Sequence, residues 1–288
     1  MQAYLEATES RILAHLGENH VSDTIRVASS YSIKAGGKRF RPYLLFATLE
    51  ALGENPMKGV DAAAAIEMIH TYSLIHDDLP AMDDDDYRRG KPTNHKVFGE
   101  AAAILAGDTL LTESFSIVSS DESLSADKRI SIISRIASKA GFNGMIGGQM
   151  LDMEAEGKEI SFSQLEHIHQ YKTGQLIVLP VECACIIADA SPETSGRLIA
   201  FAEKLGILFQ IRDDILDVEG DMAVTGKEAG SDERKNKMTY VSTYGLEGAH
   251  RELAALTDEA AGMLDHLSES INTEELHNVL QMFAVRDQ

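Results

Sequence analysis

Tryptophan is absent from this chain of 288 residues, and there are only two cysteines and six prolines. Two cysteines cannot staple so long a chain, so its stability must come from a buried core. Cys183 and Cys185 stand two apart in an apolar run. On a helix they point to different sides, which excludes a bond between them. They are expected to be reduced, buried and small apolar residues, as in a reducing compartment such as the cytoplasm. No Ser/Pro/Gly-rich linker, low-complexity tract or fixed-period repeat interrupts the chain. This favours a single domain over 1–288. Basic residues are scarce, 26 Lys and Arg against 46 Asp and Glu, for a net charge of −20. That balance excludes a nucleic-acid binder, which needs a basic face. No unbroken apolar run reaches the ~18 residues that cross a bilayer. The first residues carry Glu6, Glu9 and Arg11, without the basic start and apolar centre of a signal peptide. A soluble, cytoplasmic protein is expected.

Ala, Leu, Ile, Glu and Met dominate what is present, and helical periodicity recurs in place of period-2 alternation. The spacing predicts helices over 2–16, 22–35, 42–53, 59–79, 95–118, 127–153, 163–187, 193–218, 237–243, 248–269 and 273–285. Pro42 suits a first helical turn, where its missing N–H costs nothing. Gly53 and Gly90 are expected near helix ends, and Ser163 with Glu166 resembles a capping box. Residues 219–237 are polar and Gly-rich, the composition of a loop. The fold class is all-α, a single-domain bundle of long helices.

Two acidic clusters follow strongly apolar stretches. The first runs Asp77-Asp78-Leu79-Pro80-Ala81-Met82-Asp83-Asp84-Asp85-Asp86, and the second is Asp213-Asp214-Ile215-Leu216-Asp217. Asp213 and Asp217 share a helix face, with Asp214 beside them. Asp77 and Asp83 would diverge on an unbroken helix. Pro80 breaks it, and the resulting bulge could return Asp83 or Asp84 toward Asp77. Carboxylates crowded next to buried faces repel one another unless a cation lies between them. Mg²⁺ is the natural cation, since it uses one or two carboxylates plus substrate phosphates. A calcium EF-hand starting at Asp85 is excluded, because Arg89 and Lys96 fall where ligands are required.

Positive charge is sparse but grouped. Gly36-Gly37-Lys38-Arg39-Phe40-Arg41-Pro42 sets three cations on a Gly-rich turn before a helix, a position suited to an anion. Arg88 and Arg89 lie just past the first acidic cluster. Lys172-Thr173-Gly174 interrupts an apolar helix, and Lys227, Lys235 and Lys237 follow the second cluster. His70 lies two helical turns before Asp77. Together these groups suit a diphosphate held by metal ions on one side and by cations on the other.

The segment from Ile69 to Gly90 resembles the first aspartate-rich motif of the polyprenyl synthase family, and Phe209 to Asp217 resembles the second. Gly37 to Pro42 resembles the family's turn for isopentenyl diphosphate. Gly148-Gln149-Met150-Leu151-Asp152, Lys172-Thr173-Gly174 and Gly226-Lys227 follow in order. The likeness covers nearly the whole chain. It is nearest to the bacterial farnesyl diphosphate synthase branch, whose first motif carries extra residues, here within Leu79 to Met82. One departure is Val241, where many relatives have proline.

The resemblance implies an isoprenoid synthase-like bundle around a central active-site cavity, working as a homodimer. It implies three Mg²⁺ ions held by Asp77, Asp83 and Asp213, with Asp78, Asp214 and Asp217 also at the metals. Lys38, Arg41, His70 and Arg89 would hold isopentenyl diphosphate. Arg88, Lys172, Lys227 and Lys237 would hold the allylic diphosphate, and Thr173 and Gln210 would line the reacting carbon. The implied reaction is condensation to the C15 product, with released diphosphate taking the proton. With the diphosphate at Asp77, the growing chain points down the helix toward its N-terminus. Ser73 lies one turn below, and Tyr72 lies roughly 7.5 Å below, large enough to floor the cavity. The alternatives are a C20 synthase of the same family or a non-catalytic partner subunit.

Overall fold

Apolar residues at helical spacing dictate most of the architecture. The computed structural model describes residues 1–18, 20–219 and 238–284. In chain order the elements are α1 (Gln2–Gly17), α2 (Asp23–Lys34), α3 (Phe40–Ala51) and α4 (Val60–Asp77). A two-stranded hairpin follows, β1 (Tyr87–Arg88) and β2 (Lys91–Pro92). Then come α5 (Asn94–Phe98), α6 (Glu100–Ser119), α7 (Ala126–Ala140), α8 (Met145–Ala155), α9 (Phe162–His169) and a π-turn (Gln170–Gly174). The chain continues through α10 (Gln175–Ile187), α11 (Pro192–Glu219), α12 (Tyr240–Tyr244), α13 (Leu246–Leu267) and α14 (Glu274–Ala284). The all-α expectation holds.

Contacts divide the chain into two compact units. The first comprises Met1–Phe46 and Asn55–Ser134, and the second Ala47–Glu54 and Arg135–Gln288. In the first unit α4 is buried along Ala62 to Ile69 and again at Thr71, Tyr72 and Ile75, and it packs chiefly on α6. Gly107 on α6 permits the approach, because a Cβ there would overlap the His76 ring. By length and apolar composition α6 could cross a membrane. Here its Ala103, Ala106, Gly107, Leu110, Ile117 and Val118 are buried in the unit. In the second unit α11 packs on α13 and α10, with Leu205, Leu208, Ile211 and Ile215 buried.

Four local expectations need correction. The helix expected over 127–153 is broken into α7 and α8 at Gly141–Gly144. Gly144 takes φ −140°, ψ −137°, and a Cβ there would strike the Lys139 carbonyl. The helix expected over 95–118 is divided at Gly99, which has φ +85°. The capping box is Ser161 with Gln164 rather than Ser163 with Glu166. Gly90, with φ +72°, turns the hairpin instead of ending a helix; the antiparallel pairs are Tyr87 with Pro92 and Arg88 with Lys91.

Candidate active site

The first acidic cluster begins where the buried face of α4 runs out. Pro80 supplies no N–H, and the chain folds back on the end of the helix. The Asp83 N–H donates to the Asp77 carbonyl at 2.9 Å, and the Asp84 N–H to that of Leu79 at 3.1 Å. Asp84 takes φ +52°. The expected return of Asp83 toward Asp77 is thus made by the backbone. Asp77 and Asp83 are half-buried. Asp78 differs: it is 3% exposed, and its Oδ1 accepts Arg88 Nε at 2.7 Å and Arg88 Nη2 at 2.6 Å. Burial raises the Asp78 carboxyl above its ordinary range against the opposing pull of Arg88. The hairpin that carries Arg88 is tied down by Thr93, whose hydroxyl donates to the Asp85 carbonyl at 2.8 Å.

The basic turn meets the same hairpin. Gly36 and Gly37 have φ +86° and +132°, and Arg39 has φ +49°. The Arg89 guanidinium lies directly over Gly37, where a Cβ would overlap it, and it donates to the Gly36 carbonyl. Only glycine admits this approach. Arg39 turns inward instead. It pairs with Glu67, which is 2% exposed, with Glu9 at 3.1 Å, and donates to the Ile33 carbonyl at 2.6 Å. Lys38 is exposed, its Nζ lying 6.0 Å from the Phe40 ring centroid.

Half-buried His70 is held well below its ordinary pKa, first by burial and then by the charges of Arg41, Arg89, Arg88 and Arg39. Arg89 is itself lowered, mainly by burial and further by Arg39 and Arg88, with Glu67 opposing. Arg41, Arg88 and Arg89 therefore all act on His70, with the buried carboxylates of Glu67 and Asp78 set among them.

Tyr72 is 4% exposed. Its ring meets that of His76 edge-on at 5.7 Å, and its hydroxyl has no hydrogen-bond partner among the described residues. Burial, with the Asp77 charge, pushes the phenol up to about 12. Ser73 Oγ donates to the His70 carbonyl at 2.9 Å.

In the second unit α11 presents Gln210, Asp213, Asp214 and Asp217 within one arc of its surface. Asp213 is exposed and Asp217 half-buried. Asp214 is 3% exposed, and both of its oxygens meet protein donors. Oδ1 accepts Gln210 Nε2 at 3.0 Å, and Oδ2 accepts the Tyr240 N–H at 2.7 Å. Tyr240 opens α12 and is gripped by rings, with Phe162 edge-on at 5.1 Å and His169 stacked at 6.2 Å.

Lys172 and Thr173 sit in the π-turn, a distortion often found at functional positions. Gly148 of α8 lies against the Lys172 backbone, and a Cβ on Gly206 of α11 would be 3.2 Å from Gly174 Cα. Lys172 Nζ pairs with Asp152 at 2.6 Å. Asp152 and Arg39 both stand within short motifs of the sequence, but only the fold shows what each one holds. Lys227, Lys235, Lys237 and all but the first residue of the expected 219–237 loop lie outside the described residues.

Among the described residues no three His, Cys, Asp or Glu side chains form a ready-made cage. In each Asp-Asp pair the second carboxylate is buried and held by protein donors, while the first is the more exposed. Oxygen donors in ones and twos fit Mg²⁺, which binds through few carboxylates and completes its shell with phosphate and water.

The family model for polyprenyl synthetase matches residues 22–276. The farnesyl diphosphate synthase of Bacillus subtilis is 46% identical over 281 residues, covering 97% of this chain and 94% of that protein. The geranylgeranyl diphosphate synthase of Cyanophora paradoxa is 40% identical over 258 residues, covering 89% and 85%. The crystal structure of a Helicobacter pylori geranyltransferase, complexed with magnesium and isoprenyl diphosphate, matches with a TM-score of 0.82 at 32% identity. That match covers 99% of this chain and 95% of the other. The chain therefore belongs to the polyprenyl synthetase family, prenyltransferases that condense isoprenoid diphosphates.

Proposed function

We propose that this prenyltransferase is Mg²⁺-dependent and joins dimethylallyl and then geranyl diphosphate to isopentenyl diphosphate, stopping at C15 farnesyl diphosphate. The observation that carries the reading is the meeting of the cation groups: Arg89 lies over Gly37 of the basic turn and donates to the Gly36 carbonyl, while Arg88 next to it holds Asp78 at the first acidic cluster. So much positive charge in so acidic a chain suits a polyanion. Lys38, Arg41, His70 and Arg89 are assigned to isopentenyl diphosphate. Arg88 is assigned to the allylic diphosphate through its Nη1 end, since Nε and Nη2 meet Asp78. Lys172, steadied by Asp152, joins it, as do Lys227 and Lys237.

Asp77, Asp83, Asp213 and Asp217 are the proposed ligands of three Mg²⁺ ions, with Asp78 and Asp214 behind them. When bound, Mg²⁺ would neutralise the diphosphate as the allylic C–O bond breaks and the electron pair leaves with the oxygen. Thr173 and the Gln210 carbonyl oxygen would face the resulting cation. The double bond of isopentenyl diphosphate attacks it, forming the new C–C bond, and a proton is lost to the released diphosphate.

The two units are read as one catalytic domain, because the family match runs through both. A homodimer is proposed, supported by Ile104 and Leu105, exposed side by side on α6. The free, buried Cys183 and Cys185 suit a reducing, cytoplasmic setting.

The C15 limit rests on Tyr72, buried one turn from His76 and close enough to Asp77 to feel its charge. A C20 product is the competing reading, since relatives with that name are also similar. The test supplies labelled isopentenyl diphosphate and dimethylallyl diphosphate to the wild type and to Tyr72→Ala, with and without Mg²⁺. A Mg²⁺-dependent C15 product is expected, shifting to C20 or longer in Tyr72→Ala. Turnover without a divalent ion, or a variant that still stops at C15, counts against the reading.

A further inference from the structure

The second carboxylate of the α11 motif does not face outward with its neighbours. Asp214 is buried, with one oxygen on Gln210 Nε2 at 3.0 Å and the other on the Tyr240 N–H at 2.7 Å. A carboxylate can only accept hydrogen bonds. The end of the Gln210 amide against Asp214 must therefore be the NH₂, and the carbonyl oxygen Oε1 points away from it. This assignment follows from the chemistry of the partner. Gln210 stands on the same arc of α11 as Asp213 and Asp217.

We propose that Asp214 is a positioning residue: it fixes which end of the Gln210 amide meets the reacting allylic carbon. The inference rests on the proposed reading, in which that carbon becomes cationic beside Gln210. A carbonyl oxygen there stabilises the cation, whereas an NH₂ group would oppose it. The orientation would be set before substrate arrives, because the Asp214 carboxylate is itself held by a backbone N–H that cannot invert.

That last point makes the contact testable by one atom. In Asp214→Asn the Tyr240 N–H still needs an acceptor, so the new carbonyl oxygen must face Tyr240. The new NH₂ then faces Gln210, whose amide has to flip to offer Oε1. The flipped Gln210 presents its NH₂ to the carbon, while the anchor to Tyr240 and the fold are kept.

Steady-state kinetics are measured for wild type, Asp214→Asn, Gln210→Ala and the double variant, with Mg²⁺ titrations and thermal melts. Asp214→Asn is expected to lower kcat about 100-fold, the scale of a lost transition-state contact. KM for both diphosphates and the Mg²⁺ dependence should stay unchanged. In the Gln210→Ala background the same substitution should have no further effect, because residues acting through one contact are not additive. A raised Mg²⁺ requirement in Asp214→Asn would make Asp214 a ligand and overturn the inference. So would wild-type kcat in Asp214→Asn or Gln210→Ala, or independent losses that multiply in the double variant.

Should Asp214→Asn not fold, Gln210→Glu tests the same contact. Two ionised carboxylates are both acceptors and cannot make that bond, so kcat is expected to fall with KM unchanged; wild-type kcat overturns the inference. A wild-type enzyme that turns over no isoprenoid diphosphates in Mg²⁺ would instead refute the proposed function.

Discussion

Gly37 shows how a single missing side chain can hold a binding group in place. Its φ of +132° and the Arg89 guanidinium lying across it both exclude a Cβ. Gly37→Ala is expected to push Arg89 aside and raise KM for isopentenyl diphosphate at least tenfold, the scale of one charged hydrogen bond at about 1.5–3 kcal/mol. Helical circular dichroism should not change. A variant with unaltered KM would separate Arg89 from the proposed substrate site. The Gly-Gly pair before a run of cations was plain in the sequence, and so was the Arg pair after the acidic cluster. That one lies on the other was not, because their contact joins distant parts of the chain. The same holds within the acidic motifs. The sequence displayed Asp77-Asp78 and Asp213-Asp214 as equal neighbours. Packing distinguishes them, burying Asp78 beside Arg88 and Asp214 beside Tyr240.

The helix pair α4 and α6 turns packing into placement. His76, next to Asp77, lies against Gly107, with its Nε2 3.0 Å from the Ile104 carbonyl oxygen and its ring edge-on to Tyr72. Gly107→Ala would place a methyl group where that ring now sits. The ring would have to leave the Ile104 carbonyl, and overpacking of this kind costs about 1–3 kcal/mol. Urea titration is expected to show that loss; stability equal to wild type would mean that the ring moves freely. Periodicity was enough to find α4 and α6, since their buried faces recur every turn. It could not find the break at Gly141–Gly144, because a long apolar pattern continues across it. Nor could it find the π-turn: the interruption at Lys172-Thr173-Gly174 was visible, but the close approach of Gly148 and Gly206 to this turn joins residues remote in the chain.

Across the molecule, charge couples the binding region to stability. His70 binds a proton less readily when folded, because burial and then the nearby arginines disfavour the imidazolium. Between the ordinary His pKa of about 6.5 and the depressed folded value, the unfolded chain takes up a proton that the folded protein refuses. Stability should therefore fall as pH drops through that window, while above it the effect disappears. His70→Gln is expected to flatten this part of the curve, read by urea titrations from about pH 7.5 down to about pH 5.5. An unchanged slope would assign the acid sensitivity to other groups. The sequence by itself determined the all-helical architecture, the two acidic motifs, the cation groups and hence the family, because helical periodicity and short motifs are properties of neighbouring residues. Only the tertiary structure decided which carboxylate of each pair is buried, that Arg39 serves Glu67 while Arg89 lies over the glycine turn, and which end of Gln210 Asp214 holds. Those choices depend on burial and on partners remote in the chain, and both exist only once the helices have packed.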